Sequence, residues 1–199
     1  MDDNYYLSKF KSSILGKTLV VIDAANLEQS VRGMFVHPRD IPKESGGLPP
    51  EVFRWGVDYK TLKEFFSKHS DIVGMHFYSA RFETESHEKF LAFMKKQGYK
   101  LTTKVLKPYP DHEPDRPHRK ANFDVEISVD AVDSLNSYNT LVLFSGDSDF
   151  EYLAAFLRKR GKKVVLFSRK GHTAKELFLA IDFYFDIVDF RYNFLHVYK

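Results

Sequence analysis

The sequence contains no cysteine, and this absence excludes several kinds of site. Disulfide scaffolds, thiolate zinc sites and cysteine nucleophiles all require that residue. No uninterrupted apolar run approaches the length that crosses a membrane. The start, MDDNYYLSKFKSS, is acidic and aromatic, whereas a secretory signal is basic and then apolar. We therefore expect a cytoplasmic protein with no membrane partner.

Several enzyme motifs are also missing. There is no glycine-rich phosphate loop of the Walker or Gly-x-Gly-x-x-Gly type and no Gly-x-Ser-x-Gly nucleophile elbow. A phosphatase of the haloacid-dehalogenase type needs Asp-x-Asp after its first strand, but Asp23 is followed by two alanines. A nucleotidyltransferase would have its Gly-Ser turn and its acid pair in the opposite order. His37, His76 and His112 lack metal-ligand spacing, so we assign them no chemistry.

The composition is that of one soluble globular domain. The chain has 199 residues, of which 43% are hydrophobic and 29% are charged, and this is enough for one substantial core. The formal net charge of +3 is mildly basic, which permits a polyanionic partner without requiring one.

Strand and helix patterns alternate along the chain. Apolar runs predict strands at 18–22, 71–80, 99–106, 140–147, 162–168 and 186–190, and helical spacing predicts helices at 58–69, 84–98, 123–135, 149–161 and 173–185. In the helix at 123–135, Val125, Val129 and Val132 form one apolar stripe. Residues 34–57 and 107–120 are predicted loops. The alternation indicates an α/β fold with a mostly parallel sheet covered by helices on both faces.

Four aspartates are predicted to meet at one edge of that sheet. Asp23 and Asp147 each follow a strand, and ligands of open parallel sheets bind beyond the carboxyl ends of the strands. Asp149 lies two residues further on, and Asp124 opens the preceding helix. Clustered carboxylates repel one another unless a cation neutralises them, and oxygen ligands suit Mg²⁺ or Mn²⁺. Such an ion can activate water and clamp a phosphodiester.

Helix capping explains part of the same motif. The stretch SDFE fits a capping box, in which Ser148 is the cap and Glu151 reaches back. We assign that structural role to Ser148 and Glu151. The helix dipole would stabilise Asp149 there as well. A capping box requires neither Asp147 nor Gly146, so it explains only half of the motif.

The segments VVIDAANL, KANFDVEISVDAV, LVLFSGDSDFEYLAAFLRKRGKKVVLF and TAKELFLAIDFYFDIVDF resemble, in order and spacing, the NYN domain of the LabA-like branch of the PIN-like nuclease superfamily. The resemblance covers residues 17–190, which leaves 1–16 as an N-terminal extension and 191–199 as a C-terminal tail. It implies a Rossmann-like three-layer α/β/α sandwich and a nuclease that uses Mg²⁺ or Mn²⁺, usually on RNA.

The resemblance also assigns residues to that site. Its metal-binding and catalytic acids fall on Asp23, Asp124, Asp147 and Asp149, its first-strand asparagine on Asn26, its motif serine on Ser145, and a second helix acid on Asp130. Asn26, as a catalytic residue, and Ser145, as a substrate-binding one, would orient ligands or the scissile phosphate. Helical spacing places Asp130 about 120° around the helix from Asp124, so we expect a supporting or structural role for it.

Basic residues near the site are candidates for substrate binding. Arg119 and Lys120, with Arg116 and His118, precede Asp124 in the loop at 107–120, although a merely solvated loop explains them equally well. Arg169 follows a strand, together with Lys170 and His172, and so belongs near the same edge. Trp55 can stack on a base or pack in the core, and we favour packing.

We therefore predict a metal-dependent endoribonuclease acting on single-stranded or structured RNA. Three alternatives stay open: an RNA-binding regulatory module with little turnover, a DNA-directed nuclease, and a phosphatase or nucleotide hydrolase. The aromatic C-terminal segment FRYNFLHVY can form a homodimer surface or cover the core, and we favour the core.

Overall fold

The computed structural model describes residues 3–45, 47–105 and 121–199. The strands are β1 (Lys17–Asp23), β2 (Arg54–Val57), β3 (Asp71–Arg81), β4 (Lys100–Val105), β5 (Thr140–Phe144), β6 (Lys163–Ser168), β7 (Phe183–Asp186) and β8 (Leu195–Tyr198). The helices are α1 (Asp3–Ser13), α2 (Ala24–Arg32), α3 (Tyr59–His69), α4 (Glu85–Lys96), α5 (Asp124–Asp133), α6 (Glu151–Lys159), α7 (Lys175–Ala180) and α8 (Arg191–Phe194). Within the described residues, no helix is long and apolar enough to cross a membrane.

A six-stranded parallel sheet forms the centre of the molecule, in the order β4-β3-β1-β5-β6-β7. After β1 the chain builds outward through β3 and β4, and it then returns to pair β5 with the other side of β1. Every residue of β5 is buried, and so are six of the seven in β1, because helices cover both faces of the sheet. The predicted α/β/α architecture is confirmed.

Each face of the sheet carries its own apolar core. On one face, α1, α2, α3, α4 and α8 pack with Val20, Ile22 and a large group of phenylalanines. On the other face, α5, α6 and α7 contribute Ile127, Leu153 and Leu177. The many phenylalanines are therefore mostly structural.

The two ends of the chain pack on the first of these cores. Phe10 of α1 is fully buried, and its ring lies 5.4 Å from that of Phe65 and 5.8 Å from that of Phe185. At the C-terminus, β8 pairs antiparallel with β2 and thereby opposes Val197 to Trp55, which is buried. The packed interpretation of Trp55 is confirmed.

Some predicted elements have other boundaries. The helix predicted at 173–185 ends at Ala180, and its last residues form β7, which pairs with β6 at the edge of the sheet. The strand predicted at 186–190 is a 3₁₀ turn, because the Asp186 carboxylate accepts the Val188 N–H and starts a turn there. The predicted loop at 34–57 contains β2, and the strand predicted to reach residue 147 ends at Phe144.

The valine stripe of α5 faces away from the core. Val125, Val129 and Val132 are 70%, 59% and 41% exposed, whereas Ile127 and Ala131 are fully buried. The helix is apolar on two sides, and the bulkier isoleucine, together with the small alanine, lies against the sheet. The prediction of the helix is confirmed, but the stripe does not mark its buried face.

Candidate active site

Asp23 ends β1 and begins α2. Its carboxylate accepts hydrogen bonds from the backbone N–H groups of Ala25 (3.1 Å) and Asn26 (3.3 Å), so it caps the helix, and a third from the Asn26 side chain (2.7 Å). The residue is only 7% exposed. Burial raises the pKa of Asp23, these hydrogen bonds counteract the rise, and the charge of Asp147 adds to it.

Asn26 connects the ends of two neighbouring strands. Its amide nitrogen donates to Asp23 Oδ2, while its Oδ1 accepts the backbone N–H of Gly146 at 3.3 Å. Gly146 belongs to the turn that follows β5, so the asparagine fixes this turn against the carboxyl end of β1. An asparagine suits this position because one amide offers both a donor and an acceptor.

The turn after β5 is closed by its own side chains. Ser145 is buried, and its Oγ accepts the Asp147 N–H at 3.2 Å, so the hydroxyl holds the turn. Asp147 caps the following 3₁₀ turn by accepting the Asp149 N–H at 3.2 Å. The predicted capping box is wrong: Asp147 is the cap instead of Ser148, because the helix begins with a 3₁₀ turn and α6 proper starts only at Glu151.

Asp124 is the first residue of α5, and its backbone N–H donates to Asn122 Oδ1 at 2.8 Å. Burial raises the pKa of Asp124, the Asn122 side chain counteracts this, and the charges of Asp147, Asp149 and Asp23 raise it further. Asp124 therefore lies within electrostatic reach of the other three acids.

Three of the four acids line one cavity of about 270 Å³. Asp23, Asp124 and Asp147 share it with Asn26. Asp149 is exposed and lines a neighbouring apolar groove between α5 and α6, in which Tyr152 is 82% exposed. The structure brings together three predicted acids and the predicted asparagine, and leaves the fourth acid outside the cavity.

Glu28 and Tyr78 are among the side chains of this cavity that the sequence analysis missed. Glu28 contributes a further carboxylate from α2, and Tyr59 donates to it at 3.5 Å. Tyr78 lies near the end of β3, in register with Asp23. The end of that predicted strand was the available signal for Tyr78, because all carboxyl ends of a parallel sheet share one edge.

Asp130 lies outside the cavity. It accepts a hydrogen bond from the Tyr78 hydroxyl at 2.8 Å and forms an ion pair of 3.6 Å with Lys100. Burial and the contact with Asp130 raise the pKa of Tyr78. The acid thus fixes the orientation of a cavity-lining tyrosine.

The basic residues have a different placement from the acids. Arg169 lines neither the acid cavity nor the apolar groove. Its guanidinium lies instead at the end of α2, where a β-carbon added to Gly33 would be 2.8 Å from it. Arg119 and Lys120, with Arg116 and His118, fall outside the described residues. Substrate binding by these side chains stays a prediction.

The donor atoms of the cavity suit a hard cation, but they are not gathered around one point. Among residues 3–45, 47–105 and 121–199, no three histidine or acidic side chains are arranged to hold a metal ion. Asp23 uses three of about four acceptor positions of its carboxylate, and Asp147 Oδ1 accepts one N–H. Both aspartates therefore keep oxygen lone pairs that a cation can use.

Comparisons with known proteins identify the family. The family model described as the NYN domain matches residues 17–188. The chain is 31% identical over 140 residues to the "Low amplitude and bright protein LabA" of Synechococcus elongatus, a match that covers 69% of this chain and 75% of that protein. The crystal structure of a Vibrio parahaemolyticus protein of unknown function superposes with a TM-score of 0.63 at 21% identity, covering 90% of this chain and 96% of that one, and this likeness supports the fold. The chain belongs to the NYN domain family, within the PIN-like nucleases, and is LabA-like.

Proposed function

We propose that this protein is a metal-dependent endoribonuclease that hydrolyses RNA phosphodiester bonds. One observation carries the proposal: Asp23, Asp124 and Asp147 line a single cavity at the carboxyl edge of the sheet of an NYN domain. Asp149, which is coupled to Asp124 by charge, is the fourth proposed ligand.

The electrostatics of the cavity favour a bound cation. Burial and mutual repulsion raise the pKa of both Asp23 and Asp124, so ionisation of either side chain costs more than it does for an exposed aspartate. A divalent cation would reverse this effect and stabilise the carboxylates. Mg²⁺ and Mn²⁺ both accept carboxylate and amide oxygens, and Mg²⁺ keeps several water molecules when one or two carboxylates hold it.

When bound, such an ion would supply an activated water and a clamp for the phosphodiester. The protein's own residues supply the placement. Three hydrogen bonds fix the Asp23 carboxylate, and Asn26 holds the Gly146 turn, so the acids on β1 and after β5 keep their separation. The Asp23 carboxylate is therefore preorganised, and a group fixed in this way needs no rearrangement as charge develops in the reaction.

An RNA-binding module with little turnover is the second candidate. The observation that favours it is the absence, within the described residues, of three acids already arranged around one metal position. The endoribonuclease proposal requires the half-buried side chains of Asp124 and Asp147 to draw together on a cation.

The decisive experiment is a cleavage assay with end-labelled single-stranded RNA, hairpin RNA and single-stranded DNA in Mg²⁺, Mn²⁺ or EDTA. We expect the wild type to cleave RNA with metal only, and Asp147→Asn to lose at least about 100-fold in rate, as removal of one stabilising group in other sites does. Asp71→Asn is the matched control, because Asp71 is an exposed aspartate at the start of β3, at the opposite edge of the sheet.

Each result points to one candidate. Equal loss in both aspartate variants, or cleavage that persists in EDTA, would contradict a metal site at Asp147. Intact RNA in every metal, combined with RNA binding, would favour the module without turnover. Preferred cleavage of the DNA strand would identify a DNA-directed nuclease, and hydrolysis of free mononucleotides, supplied as a further substrate, would identify a phosphatase or nucleotide hydrolase.

A further inference from the structure

A second cavity lies beside the acid cavity, and two side chains separate them. It has a volume of about 510 Å³ and lies between α2 and the loop that follows β6. Asn26 and Gln29 line both cavities. Ser30 and residues 171–174, which include His172 and Thr173, complete the second one.

The two cavities differ in charge. The acid cavity contains Asp23, Glu28, Asp124 and Asp147, whereas the second is lined, within the described part of the chain, by neutral polar and small side chains and by His172. Arg169 and Lys170 belong to the same loop. The acids repel a polyanion, so binding of a polyanion requires cations and polar donors nearby. The second cavity is lined by polar side chains and adjoins the loop that carries Arg169 and Lys170.

One face of α2 leads from the acid site to Arg169. Asn26, Gln29 and Gly33 are spaced i, i+3 and i+7, so they follow one another along an accessible helix face, whereas the neighbouring Ser30 is buried. The Arg169 guanidinium lies at Gly33, close enough that an added β-carbon there would come within 2.8 Å of it. Seven helical residues span about 10 Å, at about 1.5 Å per residue. A stacked nucleic acid strand covers that distance with about three nucleotides, at about 3.4 Å each.

The loop opposite α2 is fixed to the acid motif. The His172 N–H donates to the Arg169 carbonyl (2.9 Å), and the Ala174 N–H donates to the Gly146 carbonyl (2.9 Å). The Lys170 N–H donates to Asp186 Oδ2 at 3.2 Å. A β-carbon on Gly146 would lie 1.9 Å from the His172 carbonyl oxygen, so only glycine allows the loop to approach the motif this closely.

We propose that this surface, from Asn26 along α2 to Arg169, binds the sugar–phosphate backbone of the RNA strand beside the phosphodiester held in the acid cavity. Arg169 neutralises a phosphate about three nucleotides from the cleaved bond, and Gln29 donates to the backbone between these points. The inference rests on the proposed function for the position of the cleaved bond.

Equilibrium binding of a fluorescent single-stranded RNA tests this, with all variants in the Asp147→Asn background so that no RNA is cut. Arg169→Ala removes one phosphate contact, so the magnitude of the slope of log K against log salt should fall by about 0.7. At about 0.1 M salt, this corresponds to about a fivefold loss of affinity relative to the parent protein. Gln29→Ala should weaken binding and leave the slope unchanged, because a neutral donor releases no counterion.

Arg160→Ala is the matched control. Arg160 follows α6 on the other face of the sheet and is exposed. We expect it to bind RNA like the parent protein, and circular dichroism verifies that each variant is folded. If Arg169→Ala and Gln29→Ala both match Arg160→Ala, the proposed binding surface is wrong.

This result is separable from the test of catalysis. Metal-dependent cleavage by the wild type, with no binding loss in Arg169→Ala or Gln29→Ala, overturns the binding surface and leaves the nuclease proposal intact. Salt-dependent binding through Arg169 without any cleavage by the wild type supports the binding surface and contradicts the nuclease.

Discussion

Asn26 joins the two halves of the acid site through the two ends of one amide. Its nitrogen donates to Asp23 Oδ2, and its oxygen accepts the Gly146 N–H. Asn26→Asp keeps the oxygen that accepts the Gly146 N–H, but it replaces the amide nitrogen with a second carboxylate oxygen. That oxygen would face the buried Asp23 carboxylate. We expect the variant to lose about 1–3 kcal/mol in free energy of unfolding, the cost of leaving a buried polar group unpaired. Urea denaturation at neutral pH in EDTA measures it.

Asn139→Asp provides the matched control for that measurement. Asn139 is an exposed asparagine at the opposite edge of the sheet, and its Oδ1 accepts the Lys17 N–H at 3.1 Å, a role that a carboxylate retains. We expect its stability to stay within about 0.5 kcal/mol of the wild type. Equal losses in the two variants would mean that the bond from Asn26 to Asp23 adds nothing to stability.

The sequence allowed the positions of Asp23 and Asp147 to be predicted from physical principles, because each follows a buried strand and parallel strands end at one edge. Asn26 was found only by family resemblance. Glu28 was missed because a single acid on an amphipathic helix is indistinguishable from a solvated one until the neighbouring strands are placed. The role of Ser148 was misassigned, since serine and aspartate are equally good caps and the 3₁₀ turn selects Asp147.

At the scale of elements, α5 shows the limit of periodicity. Ile127 and Ala131 form its buried face, and the more regular valine stripe is exposed. We expect Ile127→Ala to cost about 2–5 kcal/mol, because it removes buried methyl groups from the core. Val129→Ala, on the same helix, should change the stability by no more than about 0.5 kcal/mol. Thermal and urea unfolding compare the two, and a larger loss in Val129→Ala would mean that the stripe is covered in solution.

The boundary between α7 and β7 was mispredicted for a related reason. The apolar residues of LFLAIDFYF fit both the helical and the strand period, and pairing with β6 decides where the helix ends and the strand begins. The Asp182 N–H donates to the Val164 carbonyl at 3.0 Å, and the Asp182 carboxylate accepts the Val164 N–H at 2.9 Å. These bonds to β6 extend the chain before Phe183, and local propensity does not encode them.

At the scale of the whole molecule, both chain ends belong to the aromatic core. The Phe194 ring, which is 1% exposed, lies 5.6 Å from Phe65 and 6.2 Å from Phe190. We expect Phe194→Ala to lose about 3–5 kcal/mol in free energy of unfolding. Tyr198→Ala, four residues later and 49% exposed, should lose about 1 kcal/mol or less, as expected for one cross-strand pair. Urea unfolding followed by circular dichroism measures both, and equal small losses would place residues 191–199 outside the cooperative unit.

The pairing of β1 with β5 determines when, during synthesis and folding of the chain, the acid cavity can form. Asn26 and Gly146, which the pairing brings together, are 120 residues apart in the chain. Contacts between such distant segments form late in folding, and a chain made from its N-terminus lacks the second segment until most of it has been synthesised. A growing chain therefore holds Asp23 long before Asp124 and Asp147, and the acid cavity is assembled only after β5 has paired with β1.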